Sequence, residues 1–207
     1  RLEEGDELRL QVTPTELRAD GRSHAQILAQ ALSRGGRPLA GMPIRLSCDE
    51  AGEGGRFAPA QGVTGADGIV RSEFTMPSEA AGRRIYFTAT TETDADVELS
   101  AREWIRVIRL MLVVQPTHVA LPGGNGGELE LTALLADDAG MPIQGARLRG
   151  EGLAPHAGVV APRLVETNPS GRARFAYARS QYRGAVKVRV SLEEDRRIAR
   201  EIIIEQG

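Results

Sequence analysis

The sequence predicts an all-β chain made of two tandem antiparallel β-sandwiches. Three observations carry that expectation. A phrase of turn residues is written twice, "GGRPLAGMPIRL" at 35–46 and "AGMPIQGARLRG" at 139–150. Around each copy, apolar and polar residues alternate with period two, the mark of a half-buried strand. Turn signals recur roughly every eight to twelve residues, and no amphipathic helix is legible between them.

Taken in order, the elements of the two copies match. "LQVTPTEL" (10–17) and "LVVQPTHV" (112–119) each read as a short strand stopped by proline, which has no N–H to give a ladder. "HAQILAQAL" (24–32) lies against "ELELTALL" (128–135), so that Ala25, Ile27, Ala29 and Ala31 fall on Leu129, Leu131, Ala133 and Leu135. The repeated phrase, G-x-P-[LI]-x-G, then connects the second strand to the third. Its proline pre-sets φ, its aliphatic residue tucks under the sandwich edge, and its glycines allow the bends. "TGADGIVRSEF" (64–74) parallels "TNPSGRARFAY" (167–177), where Asp67-Gly68 and Ser170-Gly171 supply the positive φ of a tight turn. "RIYFTATTE" (84–92) and "AVKVRVSLE" (185–193) follow, then the acidic tips "TDAD" (93–96) and "EED" (193–195). The last strands open alike, "AREWI" (101–105) and "AREII" (199–203). Each copy thus reads as six or seven strands.

Residues 100–115 contain neither glycine nor proline, so the last strand of one copy passes into the first strand of the next with almost no linker. The boundary is expected near Ile108 and Arg109, giving domains 1–108 and 109–207. A joint of this kind predicts a stiff pair, a rod of order ~80 Å.

At this point a family resemblance becomes specific. "VTPTELRADGRSHAQILAQALSRGGRPLAGMPIRLS" (12–47), "GVTGADGIVRSEFT" (62–75) and "GRRIYFTATT" (82–91) resemble the bacterial immunoglobulin-like domain of the invasin and intimin type. The shared features are Ala19-Asp20-Gly21 after the first strand, the G-x-P-[LIV]-x-G connection and a T-x-x-x-G-x-[AV] strand start. The second copy is a divergent member, with "LPGGNGG" (121–127) in place of Ala-Asp-Gly and "GEGLAPHAGVVAPRL" (150–164) read as a lengthened middle. The same phrases also occur in prealbumin-like regulatory domains and macroglobulin-like domains, which are sandwiches too. The resemblance therefore implies two tandem immunoglobulin-like sandwiches.

Composition narrows the function classes. The 207 residues are 41% hydrophobic and 26% charged, within the globular range. A net charge of -2, with basic residues spread singly and Lys187 the one lysine, gives no field to draw in nucleic acid or an anionic membrane. No apolar run approaches the ~20 residues of a membrane span, so no membrane insertion is expected. The lone Cys48 rules out an intrachain disulfide and reads as a small buried hydrophobe. The start at Arg1, without methionine or a signal-peptide pattern, reads as a fragment or a processed chain with neighbouring domains.

Chemistry-bearing residues are few. His24, His118 and His156 lie at no metal-ligand spacing. Ser23 and His24 are neighbours on a strand and point to opposite faces, so they cannot form a nucleophile and base pair. "GGNGG" (123–127) lacks the Gly-Lys-Ser/Thr and the helix of a phosphate cradle and reads as a turn. Asp94, Asp96, Glu193, Glu194 and Asp195 make calcium conceivable, but two or three carboxylates on a tip fall short of about six oxygens and read as solvated. Trp104 should face away from the inward Ile105 and Val107, either packed at the domain junction or exposed to a partner.

The expectation is therefore a non-catalytic module with no catalytic, cofactor or metal residues. It would be a rigid spacer or adhesive stalk segment of a bacterial surface or secreted protein, extracellular, at the cell surface or in the periplasm. The alternative is a module binding a protein or glycan receptor through enlarged loops of the second domain or the Trp104 region.

Overall fold

The computed structural model describes residues 3–91, 98–122 and 128–207. The chain divides into two compact units, Arg1–Ile108 and Arg109–Gly207. Both are all-β immunoglobulin-like sandwiches. Among the described residues each unit has nine strands. The first holds β1 (Glu7–Thr13), β2 (Glu16–Arg18), β3 (His24–Leu32), β4 (Pro43–Cys48), β5 (Arg56–Ala58), β6 (Gln61–Val63), β7 (Ile69–Thr75), β8 (Arg84–Thr91) and β9 (Ser100–Ile108). The second repeats them as β10 (Leu110–Gln115), β11 (His118–Leu121), β12 (Glu128–Asp137), β13 (Arg147–Gly152), β14 (Val159–Ala161), β15 (Leu164–Glu166), β16 (Arg172–Ala178), β17 (Gly184–Leu192) and β18 (Ala199–Gln206).

The sheets correspond strand for strand. In the first unit a four-stranded sheet β1-β3-β7-β5 faces a five-stranded sheet β2-β9-β8-β4-β6; in the second, β10-β12-β16-β14 faces β11-β18-β17-β13-β15. The count exceeds the expected six or seven for two reasons. Two short strands form in the middle of each copy, and the opening strand is divided at Pro14 and Pro116, with its two parts in different sheets. After the proline, β2 and β11 run parallel to β9 and β18, an exception to the otherwise antiparallel pairing.

Alternation builds the cores. Ala25, Ile27, Ala29 and Ala31 are fully buried on β3, as are Leu131, Ala133 and Leu135 on β12. In the first core Phe57, Phe74 and Phe87 form an aromatic cluster with centroid separations of 4.7, 5.0 and 6.1 Å, the last two edge-on as ring quadrupoles favour. The second core is aliphatic around Phe175 and Tyr177.

Two registers differ from what matched letters suggest. Thr13 and Gln115 stand before equivalent prolines, yet Thr13 pairs with Gln26 while Gln115 pairs with Thr132, two residues further along the matched strand. The openings "AREWI" and "AREII" are out of phase. Ile105 is buried and Trp104 exposed, whereas Ile202 is buried and Ile203 exposed, so letters that align point to opposite faces.

Candidate functional site

The repeated phrase is held by a clamp. Thr64, the first residue of T-x-x-x-G, donates its hydroxyl to the Leu39 carbonyl at 2.6 Å and accepts the Met42 N–H at 2.8 Å. Thr167 repeats this in the second unit, donating to the Ile143 carbonyl at 2.6 Å and accepting the Ala146 N–H at 3.0 Å. Both threonines are buried, so each hydroxyl satisfies groups that water does not reach. The glycine that ends the motif completes the clamp. Gly68 (φ +72°) and Gly171 (φ +71°) press against Pro38 and Pro142, and their carbonyls accept the Ala31 and Leu135 N–H groups. Ser33 and Asp137 close the turn ahead of the proline, accepting backbone N–H groups of Arg37 and of Ala139 and Met141. The glycines of this clamp are legible from turn chemistry alone, whereas the acceptors are marked in the sequence only by a short polar residue at the same distance before each proline.

The chemistry-bearing residues stay apart. His24 is exposed beside Thr75 Oγ1 (3.2 Å) and Glu73 Oε1 (3.4 Å), and Ser23 instead donates to Asp20 Oδ2. His118 meets Glu205 at 3.2 Å, and the His156 ring lies 4.2 Å from that of Tyr182. Cys48 is half-buried against the first core, and burial pushes its thiol pKa up, the wrong direction for a nucleophile. Among the described residues no group of three or more His, Cys, Asp or Glu could hold a metal ion. Asp94, Asp96 and 123–127 lie outside those residues. Glu193 is engaged with Arg149 through two bonds of 2.6 and 2.7 Å, and Asp195 with Arg197 at 2.8 Å.

The expectation of enlarged loops in the second unit is revised. The middle of the second copy is not lengthened: the connection before β14 covers 153–158, against 49–55 before β5. The "NPSG" turn has the same length as "GADG", because the clamp fixes the spacing from threonine to glycine. Beside β13 lies a hollow of about 300 Å³ whose lining includes Arg149, Glu151 and Arg163. Trp104 does face outward, 39% exposed, but its ring is covered by a residue of its own unit, the Arg84 guanidinium 4.3 Å from the centroid.

By sequence, no family profile matches the chain, and neither does any curated protein. The chain is similar to several solved structures. The D0-D1 domain of intimin is 12% identical, with 96% of this chain and 94% of that chain covered and a TM-score of 0.39. Invasin, described as a bacterial integrin-binding protein, is 19% identical over 96% of this chain and 39% of its own, with a TM-score of 0.39. The Escherichia coli adhesin FdeC is 15% identical over 98% of this chain and 64% of its own, with a TM-score of 0.43. The chain thus spans less than two thirds of the last two. The domain type that the motifs resemble, that of invasin and intimin, is met again among these structures.

Proposed function

We propose that this chain is a non-catalytic tandem of immunoglobulin-like modules in a bacterial surface or secreted protein, serving as a spacer or stalk segment outside the cell or in the periplasm. The observation that carries the reading is the junction: β9 ends at Ile108 and β10 begins at Leu110, leaving Arg109 alone between two strands. One residue has two soft dihedrals, so this connection has far less freedom than a glycine-rich linker. The clamps support the same reading, since the most conspicuous motifs spend their hydrogen bonds on the scaffold. Reading the second unit's loops as an enlarged receptor site loses its premise, because those loops are no longer than their counterparts. The test is small-angle scattering of the chain beside a variant with Gly-Gly-Ser inserted after Ile108. A spacer gives a narrow distribution of dimensions that the insertion broadens; equal breadth in both overturns the reading.

A further inference from the structure

On the outer face of the first unit's five-stranded sheet, β8 and β9 set three rows side by side: Arg84 opposite Arg106, Tyr86 opposite Trp104, Thr88 opposite Arg102. The arginines fold across the diagonals onto the rings. The Arg84 guanidinium is 4.3 Å from the Trp104 centroid, and that of Arg102 is 4.3 Å from the Tyr86 centroid. Arg106 is paired with Glu16 at 3.3 Å, but among the described residues Arg84 and Arg102 have no carboxylate partner. The second unit treats the same face differently. There Lys187 and Arg189 share Glu201, at 3.5 and 2.8 Å. One scaffold, used twice, sets a carboxylate between two cations of this face in one copy and, among the described residues, leaves Arg84 and Arg102 stacked on rings without one in the other.

A guanidinium stacked on a ring is already ordered, so less rotamer entropy is lost when it binds an anion. It only donates hydrogen bonds, as does the tryptophan N–H, so the matching partner is rich in acceptors. A peptide laid on this face would bring a backbone N–H for every carbonyl and find few acceptors for them. Trp104 and Tyr86 stand directly opposite one another, so the two stacked guanidiniums flank a single cross-strand pair and present two donor forks, one on each ring. Two neighbouring forks of this kind suit adjacent charged groups along one polymer chain.

We propose that this face binds a linear acidic polysaccharide, with its carboxylate or sulfate groups held by Arg84 and Arg102. The inference rests on the surface-module reading only for where such a polymer is met; scattering tests that reading and binding tests this one. Trp104 is the only tryptophan, so its fluorescence reports the site directly. Titrating the full chain with heparin and with polygalacturonate at ~50 mM salt is expected to change that fluorescence saturably. Arg84→Gln with Arg102→Gln should weaken binding about tenfold or more, with the circular dichroism spectrum unchanged. Arg84→Lys with Arg102→Lys keeps the charge and should bind between the two. Four results would each overturn the proposal: no binding of either polysaccharide, undiminished binding by the glutamine pair, wild-type binding by the lysine pair, or equal binding of polyglutamate or single-stranded DNA.

Discussion

Thr64→Val exchanges a hydroxyl for a methyl of nearly the same shape, yet it leaves the Met42 N–H and the Leu39 carbonyl without their partner. Unpaired buried groups of this kind cost about 2–3 kcal/mol, and Thr167→Val should behave alike; urea midpoints measure both, and Thr64→Ser should lose much less. The glycines separate two causes in the same way. Gly36 (φ +75°) has open space where a Cβ would go, so Gly36→Ala should cost only the left-handed backbone term of about 1 kcal/mol. At Gly68 a Cβ would stand 2.7 Å from the Ala31 carbonyl oxygen and 3.0 Å from Pro38 Cβ, so Gly68→Ala should cost clearly more, about 2–4 kcal/mol. Equal midpoints for the two alanine variants would contradict the clamp.

At the scale of elements, the turn between β2 and β3 depends on Asp20. Burial pushes its pKa up, but the Ser23 and Arg22 N–H groups, the Ser23 hydroxyl and the charge of Arg18 outweigh burial and hold it below the ordinary carboxylate range. A carboxyl more acidic in the folded than in the unfolded chain stabilises above its unfolded pKa, and that contribution is lost as pH falls through the folded value. Urea midpoints measured from neutral pH down to about pH 3 should therefore fall more steeply for the wild type than for Asp20→Asn. What was legible at this scale was local. Strand period, the turn phrase and the Gly68 and Gly171 turns are written in neighbouring residues. The stop at Pro14 was legible, but the separate strand that follows it was not, because β2 finds its partner in Arg106, Val107 and Ile108 at the far end of the unit. The phase of the last strand was hidden for a related reason: "AREWI" and "AREII" share letters, while burial set by β8 and β17 decides which face each residue takes. Trp104 was placed on the correct face from alternation alone, but its Arg84 cover depends on a diagonal neighbour across the β8 and β9 pair.

At the scale of the whole molecule, each unit holds its own core. Residues 1–108 and 109–207, made separately, should each unfold in one cooperative calorimetric transition; a half that shows none would contradict two self-sufficient cores. Repetition also sets a hazard during synthesis, since strands of one copy are plausible wrong partners for the other. The two-residue difference in pairing between β1 with β3 and β10 with β12 acts against that exchange. A strand borrowed from its twin would arrive displaced by two residues from its proline. It would also bring the wrong outward faces, since β1 presents Glu7, Arg9 and Gln11 where β10 presents Met111 and Val113. The duplicated polypeptide thus carries a mismatch between its two opening strands that penalises an exchange between the halves.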